Sequence, residues 1–439
     1  MALPASSAHA TTVHVGCSVP ALVEAITTAN SSPGADTLRL ASKCTYRLTS
    51  PDTANPANGL PAITSDVTID GNGATITRAL SAPAFRILLV ADTGTLTLNK
   101  ITISGGKATD CPLFPGEAIC GGGINNQGTL TVNHSRVVHN AADTAADNLF
   151  VEGGGIDSDG TATLNDTEVS DNTALFSGTT PSSADGGGIA NDGPLTVNHS
   201  RVHHNTVRVT ANPESLAFGA GLAAFAPTTV KNSIISNNLA SAPGGTARGA
   251  LSNGAPPPGE MIVTDTVIRD NTTSAPGGSA LGGAIANNAK LSMNRTRILG
   301  NHATAPGGGT AGGGAIRSGA FGDLTLSSST VRGNTASAPD GGTARGGGID
   351  NPTGGTVTTD HTWIGENTAK ATGGTARGGG VFNAVGSTTL NKSSVTGNKA
   401  GDGGGIFKES GTVTLNNSAV EHNKPNNCAP PDQVPGCTG

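Results

Sequence analysis

The sequence feature that most constrains the fold is a long-period repeat. Ser or Thr always stands five residues before a recurring asparagine, and Val or Ile always stands three residues before it. Repeats of roughly 20 to 50 residues that keep several columns in register are typical of solenoid proteins. The asparagine recurs at intervals of 30 to 33 residues, with a last interval of 25, at Asn140, Asn172, Asn205, Asn238, Asn271, Asn301, Asn334, Asn367, Asn398 and Asn423.

Each repeat contains three short segments with the two-residue period of β-strands. An alternating tripeptide such as Leu130 to Val132 precedes each asparagine, and a GGGI-type segment lies further upstream. Three strands per coil, with coil stacked on coil, predict an all-β fold, a parallel β-helix of about twelve coils. The asparagine column then predicts a ladder of amide hydrogen bonds between coils that are about 4.8 Å apart.

A second repeated phrase, GGTARG, predicts a surface loop. The last coil lacks it and is shorter by about eight residues, so the phrase is an insertion into a smaller coil. Its arginines are predicted to be solvated loop residues, with substrate contact as the alternative. The phrase occurs at Gly244 to Gly249, Gly341 to Gly346 and Gly373 to Gly378, and its arginines are Arg248, Arg345 and Arg377.

Composition excludes several classes of protein. Only 3% of the 439 residues are aromatic, and the 65 glycines occur in clusters rather than at every third position, which excludes collagen and disfavours a conventional core. The net charge is −6 and there is no Lys/Arg run, so no nucleic-acid footprint is visible. No apolar stretch approaches the roughly 18 residues that span a bilayer. The sequence carries no signal of oligomeric state.

Both ends of a β-helix expose strand edges and need a cover. The segment Pro20 to Asn30 predicts a short amphipathic capping helix within an N-terminal cap, residues 11–60. The β-helix is predicted over 61–424 and a disulfide-bonded C-terminal cap over 425–439. Residues 1–10 end in an A-x-A pattern, which we interpret as the remnant of a signal peptide.

The six cysteines lie as near neighbours along the chain. Of the 15 possible connectivities, three local disulfides are the simplest, and they predict an extracellular protein. No CxxC or HxxxH spacing supports zinc. The local pairs are Cys17 with Cys44, Cys111 with Cys120, and Cys428 with Cys437.

Two motif sets carry a family resemblance. The GGG-I and V-x-x-N columns resemble the GGA(I/L/V) and FxxN repeats of the chlamydial polymorphic outer-membrane proteins. Cys17-Ser18 and Leu22 to Ile26 resemble the CSLREA segment of secreted bacterial β-helix proteins, interrupted here by Val-Pro-Ala. These resemblances imply a secreted, right-handed β-helix similar to the pectin-lyase-like superfamily, which includes adhesins, passengers and polysaccharide enzymes.

The densest acidic constellation lies on two neighbouring repeats. Glu152 and Asp185 both precede GGG, and Asp159 and Asp192 both follow GGGI by three residues, so each pair is predicted to lie on adjacent coils about 5 Å apart. Asp157 completes a set of five. Like charges at this distance raise one pKa, and glycosidases use carboxylate pairs about 5 to 9.5 Å apart. Catalysis is one prediction; a Ca²⁺ site and ordinary turn chemistry are the alternatives.

Three phenylalanines on neighbouring insertions, Phe150, Phe176 and Phe218, are predicted to form the floor of a sugar site. The scarcity of other aromatic residues weighs against a glycan site, since Trp363 and Tyr46 are single.

A second patch alternates charge along three coils. The predicted stacks favour salt bridges between coils, and a shared zinc is disfavoured because equivalent His residues lie about 10 Å apart. In the functional alternative, Arg136 or Arg201 holds the carboxylate of a polyuronate and His203 abstracts a proton. The stacks are His134/Asp166/His199, Arg136/Glu168/Arg201 and His139/Asp171/His204.

The sequence therefore predicts a secreted β-helix that recognises or processes an extracellular polysaccharide. A glycoside hydrolase that uses the carboxylate cluster is one form of this hypothesis. An adhesin-like scaffold without activity and a polyuronate lyase that uses Arg and His are the alternatives. No cofactor is predicted apart from the Ca²⁺ alternative.

Overall fold

Coils of nearly constant length stack in register along the chain. The computed structural model describes residues 10–210, 212–254 and 259–438. Its strands form parallel ladders, such as Leu130 beside Ala162 and Ala162 beside Leu195. The fold is an all-β parallel β-helix of about eleven turns, which confirms the predicted class. Residues 1–9, most of the predicted signal-peptide remnant, lie outside the described residues.

A full coil has five strands rather than the three predicted from sequence. They are distributed over four parallel sheets, which we number 1 to 4. One such coil consists of Thr129–Asn133 and Arg136–Val138 in sheet 1, Ala141–Thr144 in sheet 2, Phe150–Glu152 in sheet 3 and Ile156–Ser158 in sheet 4.

Sheet 1 takes two strands from each full coil. These carry the alternating tripeptides and the segments just before the asparagine column. Its 25 strands are Thr12–Val15, Asp36–Leu40, Thr45–Leu48, Asp66–Arg78, Thr95–Ser104, Thr129–Asn133, Arg136–Val138, Thr161–Asn165, Glu168–Ser170, Leu195–Asn198, Arg201–His203, Thr228–Lys231, Ile234–Ser236, Glu260–Thr264, Val267–Arg269, Lys290–Asn294, Arg297–Leu299, Asp323–Ser327, Thr330–Arg332, Thr356–Asp360, Trp363–Gly365, Ser387–Asn391, Ser394–Thr396, Thr412–Asn416 and Ala419–Glu421.

Sheets 2 and 3 have nine strands each. Sheet 2 consists of Lys107–Ala108, Ala141–Thr144, Thr173–Phe176, Thr206–Val209, Leu239–Ser241, Thr272–Ser274, His302–Thr304, Thr335–Ser337 and Thr368–Lys370. Sheet 3 consists of Ala118–Cys120, Phe150–Glu152, Ser183–Asp185, Leu216–Phe218, Thr246–Arg248, Ser279–Leu281, Thr310–Gly312, Thr343–Arg345 and Thr375–Arg377.

Sheet 4 has twelve strands in the described residues, and most of them begin directly after a glycine-rich turn of the GGG type. They are Leu88–Val90, Ile124–Asn126, Ile156–Ser158, Ile189–Asn191, Leu222–Ala224, Leu251–Asn253, Ile285–Asn287, Ile316–Ser318, Ile349–Asn351, Val381–Asn383, Ile406–Lys408 and Cys428–Ala429.

Two large hydrophobic cores, among the described residues, hold the sheets together. Between sheets 1 and 4 lies a core of Ile, Leu and Val side chains, for example Val132, Val137 and Ile156. Between sheets 2 and 3 the core is mostly alanine, as at Ala142 and Ala247. Because the alanine side chain is small, sheets 2 and 3 can lie close together as a thin flange on the solenoid.

The flange corrects the prediction for GGTARG. The phrase is a turn followed by a strand of sheet 3, and its alanine is fully buried, as at Ala247 and Ala344. The strand is too short for its period to show in the sequence, and alanine carries little hydrophobic signal. The arginine that ends it lies next to sheet 4 and is half-buried, not a solvated loop residue.

The asparagine ladder is confirmed. The side-chain N–H of Asn172 donates to Asn205 Oδ1 at 3.0 Å, and its backbone N–H donates to the same oxygen at 3.1 Å. This pattern continues from Asn140 to Asn423. A second ladder, not predicted, links the last residues of sheet 4 strands, as between Asn253 and Asn287.

The GGG turn joins sheets 3 and 4 where side chains have no room. Gly153 has a φ of +57°, a left-handed conformation that suits glycine. A Cβ on Gly155 would lie 2.9 Å from the buried side chain of Asn172. The glycine cluster therefore allows a sharp corner and lets the asparagine ladder lie directly beneath it.

The predicted capping helix lies at one end of the solenoid, and a segment that follows the last full coil lies at the other. The helix Val19–Ser31 begins at the N-cap Ser18 and buries Leu22 and Ile26 against the first coil. At the other end, Cys428–Ala429 adds a last strand to sheet 4 and Val434 is buried. The three predicted disulfides are confirmed.

Candidate functional site

Sheets 3 and 4 meet at the GGG turn, and their outer sides face each other across this corner. Three columns of side chains line it: the last residue of each sheet 3 strand, the middle residue of each sheet 4 strand, and the residue directly after that strand. A Cβ on Gly153 would lie 2.6 Å from Asp157 Cβ, so the turn brings the columns into close contact. We call these three columns the corner face.

Charge divides the corner face into an acidic and a basic stretch. The acidic stretch is formed by Glu152, Asp157, Asp159, Asp185 and Asp192 on two neighbouring coils. The next coil contributes Phe218 and Phe225. The basic stretch follows and consists of Arg248, Arg317, Arg345 and Arg377, with the carboxylate of Asp350 among them.

The register of the acidic stretch agrees with the spacing in the sequence. Glu152 lies directly beside Asp185 in sheet 3. Ser158 lies beside Asn191 in sheet 4, so the residues that follow them, Asp159 and Asp192, are also on adjacent coils. The fold thus brings all five predicted carboxylates to one corner.

The five carboxylates differ in how accessible they are. Asp157 is 1% exposed and Asp185 is 5% exposed. Glu152 and Asp159 are half-buried, and Asp192 is exposed. A substrate in the corner would therefore reach Glu152, Asp159 and Asp192, while Asp157 and Asp185 lie beneath them.

Burial and mutual repulsion raise the pKa values of these groups. Burial raises the pKa of Glu152 to about 7, with contributions from the charges of Asp192 and Asp159. Burial raises the pKa of Asp159 to about 6, again with a contribution from Asp192. The pKa values of Asp157 and Asp185 lie well above the ordinary range for the same two reasons, and burial also raises the pKa of Asp192.

A hydrogen bond holds the Asp157 carboxylate in place, whereas one carboxylate oxygen of Asp185 lacks a hydrogen-bond partner among the described residues. Asn125 Nδ2 donates to Asp157 Oδ2 at 2.7 Å, and the charge of the buried Arg86 partly opposes the rise in the pKa of Asp157. Asp185 Oδ1 is buried without a hydrogen-bond partner. Such a group is costly while ionised, which favours the protonated form.

The carboxylates are not arranged around a single cation. Among the described residues, the set of His, Cys, Asp or Glu side chains whose ligand atoms lie within 4.8 Å of one another is Cys111, Cys120 and Asp157, and the two cysteines form a disulfide. No three carboxylates of the acidic stretch, all of them in the described part of the chain, meet this distance. A Ca²⁺ site would require these side chains to move, so calcium stays a prediction.

The predicted aromatic floor is only partly on this face. Phe218 lies in the corner face, with the Arg248 guanidinium 5.2 Å from its ring centre. Phe150 is 50% exposed and lies on the same side of sheet 3 as Glu152. Phe176 is wrong as a sugar contact, because it is fully buried in the flange core. Phe225, which the sequence analysis did not indicate, lies in the corner face instead.

The Arg/His patch lies on sheet 1, away from the corner face, and its salt-bridge interpretation is confirmed in part. Arg136 donates to Glu168 through Nε at 3.0 Å and Nη2 at 3.1 Å. His203 Nε2 lies 3.5 Å from the same carboxylate. Arg201 has no carboxylate within 4 Å among the described residues. Burial lowers the pKa of His203.

The basic stretch joins three arginines of the GGTARG phrase to Arg317 and Asp350, which the sequence analysis did not indicate. Arg317 Nε and Arg345 Nε lie 3.6 and 3.9 Å from the fully buried carboxylate of Asp350. The Arg345 guanidinium also lies 5.3 Å from the ring centre of Phe382. Aligning the repeats on the residue directly after the GGGI-type segment would have placed Arg317 and Asp350 in the column of Asp157.

Comparisons with known proteins give little beyond the fold. No family model matches the chain, and no curated protein matches it. One similar solved structure is the A-module of the mannuronan C-5 epimerase AlgE6 from Azotobacter vinelandii, 14% identical, with a TM-score of 0.43 over 94% of this chain and 95% of that one. Another is tailspike protein 3 of bacteriophage CBA120, 12% identical, with a TM-score of 0.26 over 94% and 58%. At these values neither supports an argument about function, and the family resemblances stay predictions.

The cysteines and the single helix bear on the compartment. Three disulfides fit an extracellular protein. The described residues contain no helix long and apolar enough to cross a bilayer.

Proposed function

We propose that this protein is a secreted polysaccharide-active enzyme, and that the acidic stretch of the corner face hydrolyses glycosidic bonds. One observation carries the proposal: Glu152, which a ligand can reach, has a pKa of about 7 and feels the charge of an exposed neighbour, Asp192. A carboxylic acid that is still protonated near neutral pH, next to an ionised one, is the pairing that glycoside hydrolysis needs.

In this proposal Glu152 is the general acid. It gives its proton to the glycosidic oxygen as the bond from that oxygen to the anomeric carbon breaks. Asp192 takes a proton from the water whose oxygen joins the anomeric carbon, so the proton lost by Glu152 is replaced in the cluster. Asp159 lies close enough to both for its charge to act on Glu152. Asp157 and Asp185 lie buried beneath these groups, and their raised pKa values favour the protonated, uncharged form.

A structural scaffold remains the second candidate because part of the cluster has an ordinary structural explanation. The buried Asp157 is hydrogen-bonded, and Asp159 and Asp192 stand in tight turns that carboxylates commonly occupy. A scaffold would tolerate loss of the surface carboxylates without loss of any activity.

A polyuronate lyase on sheet 1 has one favourable observation. The lowered pKa of His203 keeps its imidazole neutral at pH 7, as a base must be. However, Arg136 is already occupied by Glu168, so only Arg201 is free to hold a substrate carboxylate.

The decisive experiment is a panel of neutral, acidic and cell-wall polysaccharides, with and without calcium. New reducing ends are measured together with the absorbance of unsaturated uronic products. We expect new reducing ends without that absorbance, and we expect Glu152→Gln to lower the rate about 10²- to 10⁴-fold, the usual contribution of general acid catalysis.

The control is Glu214→Gln, which changes an exposed carboxylate at the tip of the flange. It should leave the rate unchanged. Absence of products across the panel favours the scaffold, and unsaturated products that survive Glu152→Gln favour the lyase.

A further inference from the structure

The basic stretch contains a cavity of ≈ 220 Å³ between two arginines that have no hydrogen-bond partner among the described residues. Arg248 reaches it from sheet 3 and Arg317 from sheet 4. Leu281, Asn288 and Thr353 are among the other residues that line it. The Nε atoms of both arginines are buried, and no hydrogen bond satisfies either. Burial lowers the pKa of Arg248, and the nearby charge of Arg317 lowers it further.

A buried arginine with a structural role looks different in this same protein. Arg86 is fully buried beneath the other end of the corner face. It donates to the side chain of Asn58 at 3.1 Å, to the carboxylate and carbonyl of Asp110 at 2.5 Å, and to a further carbonyl. Its Nε is unpartnered like those of Arg248 and Arg317, so the difference lies in Nη1 and Nη2, which both donate in Arg86. In the described residues Arg248 has neither a hydrogen bond nor a carboxylate within 4 Å.

The positive charge of the basic stretch is not fully neutralised by the carboxylates that lie next to its arginines. Asp350 is the carboxylate shared by Arg317 and Arg345, both at 3.6 Å or more. Arg377 pairs separately with Glu409 at 3.0 Å. Arg248, Arg317 and Arg345 carry three positive charges and Asp350 one negative charge, which leaves a net +2 on a protein whose net charge is −6.

We propose that the cavity between Arg248 and Arg317 is an oxyanion site that takes a carboxylate or sulfate group of a bound glycan. A planar guanidinium binds such groups through two parallel N–H donors, and a partly dehydrated site strengthens the interaction. The glycan part of this assignment rests on the proposed function; the oxyanion site does not.

The position of the site defines the polymer. Arg248 is two strands along sheet 3 from Asp185, about 10 Å, with Phe218 between them. A chain lying along the corner face would be held by its acidic group at the arginines, would contact Phe218 and Phe225, and would present a linkage several sugar units further along to Glu152, which is three strands from Arg248. An acidic polysaccharide fits this order of groups better than a neutral one.

The test follows the Nε–H resonances of arginine in ¹⁵N-labelled protein. Sodium sulfate and sodium glucuronate are the probes, and sodium chloride at equal ionic strength and glucose are the controls. The resonances of Arg248 and Arg317 are identified from Arg248→Lys and Arg317→Lys, which keep the charge and remove the two-pronged donor. Arg208→Gln removes an exposed arginine of sheet 2 as a matched control.

We expect both resonances to shift with at least one oxyanion, and each Lys variant to weaken its binding about tenfold or more, since a charge-assisted hydrogen bond is lost. Sulfate alone would indicate a sulfated glycan, and glucuronate alone a polyuronate. Shifts equal to those in chloride, or unchanged affinity in both Lys variants, would overturn the site. Because binding is read without turnover, this test can succeed when hydrolysis fails.

Discussion

The acidic and basic stretches of the corner face have the same backbone and opposite charge. Asp157 and Asp350 are both the middle residue of a sheet 4 strand, and Glu152 and Arg345 both end a sheet 3 strand. In the acidic stretch the buried carboxylate adds to a surplus of like charge, whereas in the basic stretch it is the counter-charge that two arginines share. The same substitution at equivalent positions should therefore have opposite effects.

The largest effect is expected from Asp350→Asn. Removing this fully buried carboxylate leaves the half-buried Arg317 and Arg345 without a counter-charge. Burial raises the pKa of Asp350 and neither of its oxygens is hydrogen-bonded within the described residues, so we expect a cost below the figure of about 3–5 kcal/mol that is typical when a fully buried pair is broken. We expect a clear fall in the melting temperature by circular dichroism at pH 7.5. Asp92→Asn, in an exposed turn, should leave it within a degree. A melting temperature that Asp350→Asn does not change would mean that the arginines are neutralised in another way.

The equivalent change in the acidic stretch, Asp157→Asn, should stabilise the protein at high pH. The pKa of Asp157 is raised in the folded state, so the folded protein holds this proton where the unfolded chain has lost it. Stability from this group is complete below about pH 4 and falls as pH rises toward the folded-state pKa. The asparagine removes that loss and keeps an acceptor for Asn125.

We expect Asp157→Asn to be more stable than the wild type at pH 8 and equally stable at pH 4. Thermal unfolding at both values measures the difference. Equal stability of the two proteins at pH 8 would contradict the electrostatic account of the acidic stretch.

The smallest effect concerns the pH dependence of activity. The charge of Asp159 contributes to the raised pKa of Glu152, so Asp159→Asn should lower that pKa from about 7. If Glu152 is the general acid, activity is lost as pH rises above its pKa, and the alkaline limb of kcat/KM should move down by up to about one unit. If the alkaline limb stays near pH 7 in this variant, the ionisation that causes the limb belongs to a group other than Glu152.

Much of the fold was predictable from three aligned columns. Asn, Ser/Thr and Val/Ile recur at constant spacing because every coil must supply the same ladder and the same core positions. The same reasoning predicted that Glu152 lies beside Asp185 and Asp159 beside Asp192, because residues one repeat apart in the sequence occupy equivalent positions on adjacent coils. It failed for the flange, where three-residue strands with a buried alanine have too little pattern to detect.

The sequence did not distinguish carboxylates that a ligand can reach from those it cannot. Asp157 and Asp159 are two residues apart and point to the same side, yet one is fully buried and the other half-exposed. The difference comes from sheet 3, which covers the middle of the sheet 4 strand but not the turn after it. Spacing along the chain contains no information about that cover.

By itself, the sequence determined the parallel β-helix, the asparagine ladder, the capped ends and the stacking of like residues. These follow from periodicity, because a repeat fixes which residues become neighbours one coil away. Only the tertiary structure decided that two sheets form a thin alanine flange, and that the corner beside it is dry enough to raise carboxylate pKa values. It also decided that Arg248 and Arg317 meet in one cavity. Those properties depend on the angle between sheets within a coil, which the spacing between coils does not specify.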